Sequence, residues 1–315
     1  MKHPVLLTYR IPAAPMRALE EACDVERLDA RPVTAEQLVA RVPGKWALIC
    51  LLTERVDRAV IDAGRDLRII ANIAVGYDNV DVSYARERGI IVTNTPDVLT
   101  EATAELTWGL ILAAARRIPE GERALRRGDW AGWALDYMLG TELCDKQLGI
   151  VGMGRIGRAV ARRAPVFGMR VAYADESGAP PVQAATRVSL DELLVGSDVV
   201  SLHVPLTPKT RHLIDRRALA RMRRSAILVN TSRGPVVDEE ALVWALEERL
   251  ISAAALDVYE REPAVHPRLL ALENVVLAPH LGSATRETRT AMADLAVRNV
   301  LAVLGGHEAI SPILR

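Results

Sequence analysis

The sequence predicts an α/β protein made of two doubly wound, parallel-sheet domains. Three observations carry this. Short continuous Val/Ile/Leu runs alternate with helix-length segments along most of the chain, the pattern of strands covered on both faces. The alternation lapses after Thr93 and restarts at Leu148. The chain has 315 residues, half of them apolar, which suffices for two cores of ordinary size.

The first stretch carries four strand-like runs, VLLTY, WALICLL, LRIIANIAV and IIVTN. Between them lie the helical segments PMRALEEAC, AEQLVARV, RAVIDAG and VSYARERG. Asp78 and Asp81 in GYDNVD are expected to shape a turn and cap the helix that follows. Thr100, with acidic residues after it, opens a helix that runs to Arg117. The next stretch, PEGERALRRGDWAGWALDYMLGTELCDKQ, has poor periodicity yet holds Trp130, Trp133, Tyr137 and Met138. So much aromatic area suggests a partner-covered arm, or else a small local core over the neighbouring helix. From Leu148 six runs follow: LGIV, MRVAYA, SDVVSLHV, AILVN, SAAALDV and NVVLAP. Six parallel strands are what two mononucleotide-binding halves require. The closing ATRETRTAMADLAVRNVLAVLGG reads as one amphipathic helix.

Charge narrows the partners. Lys+Arg and Asp+Glu are 40 each, so no broad nucleic-acid or anionic-membrane footprint is expected. No apolar run is long enough to span a membrane, and the N-terminus does not read as a secretory signal. Cys23, Cys50 and Cys144 lack paired spacing, which suits a reducing, cytoplasmic setting, with Cys50 a core residue. His3, His212, His266 and His307 have no companions at ligand spacing, so no metal site is expected.

The strongest local signal is LGIVGMGRIG. Gly152, Gly154 and Gly157 form GxGxxG between an apolar strand and a helix. The first glycine permits the turn, the second a close approach of pyrophosphate, and the third tight helix–strand packing. Asp175 follows about 20 residues on, where an acid binds the adenosine ribose hydroxyls and repels a 2′-phosphate. Glu176 and Ser177 follow it, with no Arg immediately after, so NAD(H) is expected over NADP(H).

Three further groups stand at successive strand ends: Arg233 after VNTSRG, Asp257 and Glu262 in LDVYEREP, and His280 in LAPHLGS. Singly, each has a bland use as a surface cation or turn residue. Together, after a dinucleotide motif, they form a reaction set. An imidazole can protonate a carbonyl oxygen that receives a hydride, a carboxylate beside it favours the imidazolium, and a guanidinium holds a carboxylate in two-pronged fashion.

The runs ANIAVGYDNVD, VTNTPDVLTEATAE, GIVGMGRIGRAVARRAPVFGM, HVPLTPKTRHLI, VNTSRGPVVDEEAL, ALDVYEREP and VVLAPHLGSAT resemble the D-2-hydroxyacid dehydrogenase family, closest to its glyoxylate/hydroxypyruvate reductases. The resemblance implies reduction of a small 2-oxo acid to the D-2-hydroxy acid, with Arg233, Glu262 and His280 as catalytic set. It implies substrate contacts at Leu52, Val75, Gly76, Arg233 and His280, the carboxylate resting on the amides of Val75 and Gly76. Leu51 and Trp133 are further candidates for shaping that pocket. Beside the glycines, it implies cofactor contacts at Arg155, Ile156 and Asp175, at His203, Val204 and Pro205, and at Thr231, Ser232 and Arg233. Asp257, His280, Gly282 and Ser283 complete that implied set. A structural role for His203 is an equal alternative.

The implied topology is a Rossmann NAD-binding domain, residues 98–282, inserted into a smaller flavodoxin-like substrate domain, residues 1–97 and 283–315. A homodimer is implied, through the helix and arm at about 100–146. Two departures matter. Reductases of this branch often read NADP through a Ser/Arg pair after the second strand, where this chain has Asp175 and Glu176. Phosphite dehydrogenases place a Lys where Val75 stands, so phosphite oxidation is not expected. The remaining alternatives are a phosphoglycerate- or D-lactate-type dehydrogenase, or a dinucleotide-sensing protein resembling a co-repressor.

Overall fold

The computed structural model describes residues 2–29, 33–178, 180 and 182–313. The chain forms two compact units, Met1–Leu99 with Ala284–Arg315, and Thr100–Ser283.

The first unit opens with β1 (His3–Leu7), α1 (Ala13–Ala22), β2 (Cys23–Arg27), α2 (Ala35–Arg41) and β3 (Ala47–Cys50). It continues with α3 (Arg58–Ala63), β4 (Ile69–Asn72), α4 (Val82–Glu87) and β5 (Ile91–Thr93). The strands form one sheet in the order β2-β1-β3-β4-β5, all parallel, which is the flavodoxin-like order. Caps set the helix starts. Thr34 and Gln37 form a capping box on α2, and the carboxylates of Asp57 and Asp81 accept from first-turn amides of α3 and α4. β3 and β4 are buried throughout, in keeping with their apolar runs, and β4 ends in the buried Asn72.

The second unit begins with α5 (Thr100–Ala115) and α6 (Ile118–Arg127). Then come β6 (Gln147–Val151), α7 (Arg155–Ala161), β7 (Arg170–Ala174), β8 (Ala185–Arg187), α8 (Leu190–Gly196), β9 (Val199–Leu202) and α9 (Arg216–Arg221). It closes with β10 (Ile227–Asn230), α10 (Glu239–Glu247), β11 (Ala253–Leu256), α11 (Pro267–Ala271) and β12 (Val275–Leu277). Its parallel sheet runs β12-β11-β10-β9-β6-β7-β8. Six of these strands follow the dinucleotide-binding order, and the reversal lies between β6 and β9. The last helix, α12 (Arg286–Leu304), capped by Thr285, packs on α1 and β4 of the first unit.

Three elements depart from the sequence reading. β2 shares only Cys23 with an expected helical segment and otherwise, like β8, falls where no element is expected. Both are edge strands with polar residues, so neither forms the continuous apolar run that marks a central strand. α6 lies where an irregular arm is expected. The aromatic part of that arm does not make a local core: Trp130, Leu135 and Leu139 are exposed, and Trp133 is 82% exposed. Among the described residues no helix is long and apolar enough to cross a membrane.

Candidate active site

Because every strand of the second sheet is parallel, the loops after β6, β7, β9, β10, β11 and β12 all leave from one edge. The residues of the glycine loop and of the Arg233, Glu262 and His280 set follow strands of this sheet.

The glycine loop is built as its spacing predicts. Gly152 has φ +94°, and a Cβ there would come within 2.8 Å of the His203 carbonyl. A Cβ on Gly157 would stand 2.2 Å from the Gly152 carbonyl oxygen, so α7 and β6 touch only because no side chain intervenes. A Cβ on Gly154, the N-cap of α7, would meet nothing within 4 Å. That open space is where a pyrophosphate would approach the amides of Arg155 and Ile156.

Asp175 closes this loop from β7. Its carboxylate accepts from the amide of Met153 at 2.6 Å and from the amide and hydroxyl of Ser177 at 2.8 and 2.5 Å. Burial alone would lift its pKa, but these bonds and the charge of Arg187 outweigh that and hold the carboxyl below its ordinary value. Sequence reasoning missed Arg187. Twelve positions separate it from Asp175, yet strand pairing brings its guanidinium to 2.6 Å from the Asp175 carbonyl oxygen.

His203 follows β9, at the point where strand order reverses. Its amide donates to the Val151 carbonyl, and Nε2 lies 2.8 Å from the Ser201 hydroxyl. Burial pushes its imidazole down to about 3, so the ring is neutral. Nδ1 is buried and meets no partner among the described residues. An open glycine cradle, an acid at the end of β7 and a neutral ring with an unused nitrogen fit a dinucleotide.

The loops after β10, β11 and β12 converge. His280 Nδ1 is 2.8 Å from Glu262 Oε2, and the two side chains are only 27% and 30% exposed. Glu262 Oε1 accepts from the Tyr259 amide at 3.0 Å. Burial would raise the Glu262 carboxyl. The bond and charge of His280, the Tyr259 amide and the charge of Arg233 together hold it below the usual carboxylate range. The three groups therefore share one electrostatic environment. Arg233 Nη1 donates to the Ser232 carbonyl at 2.9 Å, which orients the fork. His280 itself has φ +54°, a left-handed conformation uncommon outside glycine.

That conformation is held by neighbouring groups, several of which the sequence does not single out. Asp257 is 1% exposed, and its carboxylate accepts from the amides of Leu281 and Gly282 at 2.6 and 2.8 Å. Asp257 braces the loop that carries His280, and its carbonyl accepts from the His280 amide. Thr103 on α5 donates to the Gly282 carbonyl, and Thr107 bonds the hydroxyl of Thr231 at 3.0 Å. Asn230 accepts from the amide and hydroxyl of Ser232 and donates to the Arg233 carbonyl. Glu239 accepts from the Glu260 amide at 2.6 Å, and Gly234 is so close to Tyr259 that a Cβ would overlap its carbonyl. The Arg233 and Glu262 loops are thus packed backbone to backbone.

In the first unit, Leu51 and Leu52 follow β3, and Val75 and Gly76 follow β4. Glu54, 3% exposed, receives the Thr8 hydroxyl and the Leu51 amide. Asn79 donates to the carbonyls of Leu51 and Glu54 at 3.1 and 3.0 Å and accepts from Asn72 at 3.2 Å. Sequence reasoning singles out neither Glu54 nor Asn79. Val204 and Pro205 follow β9 and Ser283 ends the second unit, all at or near the surface.

Known proteins are similar to this chain in sequence and fold. Residues 108–282 match the family described as D-isomer specific 2-hydroxyacid dehydrogenase, NAD binding domain. A glyoxylate reductase of Thermococcus onnurineus (strain NA1) is 47% identical over 315 residues, covering 98% of this chain and 94% of its own. A crystal structure of a protein from Thermus thermophilus superposes with TM-score 0.94 at 47% identity, over 99% of this chain and all of the other. An NADPH-dependent glyoxylate/hydroxypyruvate reductase of Sinorhizobium meliloti, crystallised with NADP and malonate, gives TM-score 0.88 at 36% identity over 100% and 97% of the two chains.

Proposed function

The chain belongs to the D-isomer specific 2-hydroxyacid dehydrogenase family, and from that premise we propose that it reduces a small 2-oxo acid, glyoxylate or hydroxypyruvate, to the D-2-hydroxy acid with NADH. The observation that carries this reading is the imidazole–carboxylate pair of His280 and Glu262 at 2.8 Å, under the charge of Arg233, on the sheet edge that also bears the glycine loop.

A bound nicotinamide supplies the hydride. The protein supplies the rest. Glu262, kept anionic, turns His280 Nδ1 toward itself and leaves Nε2 to donate the proton that the carbonyl oxygen gains. Arg233 binds the substrate carboxylate and polarises its carbonyl. The amides of Val75 and Gly76 are the proposed second carboxylate contact, and Leu52 shapes the side-chain pocket. Gly152, Gly154 and Gly157, the amides after them and Asp175 hold the dinucleotide, with His203 to Pro205, Thr231, Ser232, Gly282 and Ser283 alongside. The test is NADH oxidation with a panel of 2-oxo acids. Turnover of glyoxylate and hydroxypyruvate is expected. No turnover, with NADH-dependent capture of a protein partner, would replace this reading with a sensor.

Cofactor choice rests on Asp175, whose charge opposes a 2′-phosphate. The wild type is expected to use NADH with the higher kcat/KM. Asp175→Ala should cut the NADH:NADPH preference roughly tenfold, a change of about 1.4 kcal/mol, because Arg187 then faces the ribose without the opposing acid. A wild type that prefers NADPH would refute this.

We also place the protein in a reducing, cytoplasmic compartment, consistent with its unpaired cysteines, and read the exposed arm as a homodimer contact. Trp130 and Trp133 are exposed on that arm, an apolar area that a second copy would cover. Light scattering should give twice the 34.4 kDa chain mass, and Trp133→Ser should shift the protein toward monomer.

A further inference from the structure

The bend after β4 holds two amides whose direction is fixed by their carbonyls. In a trans peptide the C=O and the next N–H point opposite ways. The Ala74 carbonyl accepts from the Thr95 amide at 2.8 Å, and the Val75 carbonyl accepts from Asn94 Nδ2 at 2.8 Å. Thr95 and Asn94 are adjacent, so two consecutive carbonyls face one segment. An extended strand would alternate them. The amides of Val75 and Gly76 must then both turn away from that segment, and among the described residues neither donates to anything. Asn72 Nδ2 fixes the far end of the bend at the Gly76 carbonyl, 2.9 Å away.

Asn94 is itself held. The Ser311 hydroxyl donates to the Asn94 carbonyl at 2.7 Å. Asn299 on α12, fully buried, donates to that hydroxyl at 2.9 Å and accepts from the Ser311 amide at 3.0 Å. A relay of hydrogen bonds thus runs from the last helix through Ser311 and Asn94 to the Val75 carbonyl.

We infer that Asn94 is a positioning residue for substrate recognition: its side-chain amide, backed by Ser311, holds the Val75 carbonyl so that the Val75 and Gly76 amides stay presented to a carboxylate. This rests on the reading above that a 2-oxo acid is the substrate. The Asn94 side-chain donor is committed to the Val75 carbonyl, so its loss is expected to act on binding of the acid and not of NADH. Asn94→Asp keeps the size but removes the donor and faces the Val75 carbonyl with another acceptor.

The experiment compares wild type, Asn94→Ala, Asn94→Asp and Ser311→Ala. It measures KM for the best 2-oxo acid, KM for NADH, and the Kd of oxalate for the free protein by calorimetry. Both Asn94 variants should raise the acid KM and the oxalate Kd about tenfold, the scale of one lost hydrogen bond, with KM for NADH unchanged. Ser311→Ala should move the same two constants by a smaller factor, and it decides the matter if the Asn94 variants do not fold. Unaltered acid KM and oxalate Kd, or an equal rise in the NADH KM, would overturn the role. Asp tolerated where Ala is not would also overturn it, since that marks packing alone. Wild type that binds oxalate through Asn94 but reduces no 2-oxo acid would leave the cradle standing and sink the reaction. Wild type that reduces 2-oxo acids while the variants match it would do the reverse. Wild type that neither binds oxalate nor turns over would end both.

Discussion

Replacing His280 with alanine lowers kcat for 2-oxo acid reduction by roughly 10²–10⁴, the range for loss of a positioned general acid. NADH binding, followed by its fluorescence, should fall far less, because the glycine loop and Asp175 are untouched. The size of the effect follows from how much of the fold is spent on one ring. The His280 backbone is held left-handed by the Asp257 carbonyl, the next two amides are tied to the Asp257 carboxylate, and the ring is oriented by Glu262 at 2.8 Å. A group held that firmly acts at high effective concentration, and water cannot replace it at the same geometry. Wild-type turnover in the alanine variant would remove His280 from the role.

The parts of the site that could be read from the sequence are those whose chemistry is unusual for their setting. A histidine, a glutamate and an arginine at successive strand ends, after a glycine loop, stand out because side chains of those types must do something when the chain turns back over a sheet edge. Their supports do not stand out. Asn230, Thr103, Thr107, Asn79 and Asn94 are short polar residues that look like ordinary turn and helix-end choices. For some of them the partners are also far away in sequence: Thr103 bonds Gly282 across 179 positions, and Asn94 bonds Ser311 across 217. The same distinction applies to the fold. β3, β4, β9 and β10 are buried end to end and so appear as mostly apolar runs, with Asn72, Ser201 and Asn230 their buried polar members. β2 and β8 pair on one side only, need no such run, and pass for connecting segments. Asp257 lies between these cases. It stands out as an acid at a strand end, but only burial at 1% exposure reveals that its carboxylate serves the His280 loop.

Arg233→Lys should reduce kcat/KM for the 2-oxo acid by roughly 10- to 100-fold, chiefly through KM, although the charge is retained. A guanidinium offers two parallel donors in a plane, which match a carboxylate, whereas an ammonium offers a point charge on a flexible stem. Here the fork is also pre-set: one Nη1 donor is committed to the Ser232 carbonyl, and the backbone beneath it is fixed by Asn230 and by the contact of Gly234 with Tyr259. Lysine keeps the backbone and can donate to the Ser232 carbonyl, but it cannot hold a planar two-donor fork beside it. Charge and shape can be separated by adding Arg233→Ala. The Arg233 charge is one of the influences that hold the Glu262 carboxyl low. Lysine preserves a positive charge, so its pH–rate profile should stay close to wild type while KM rises. Alanine removes it, so the Glu262 carboxyl should move up and the acid limb of the profile, where loss of that carboxylate charge frees the His280 ring, should move up with it. Steady-state kinetics across pH for the three proteins test both halves. A lysine variant with wild-type KM would show that charge alone suffices, and an alanine variant with an unmoved acid limb would show that Arg233 and Glu262 do not act on one another during turnover.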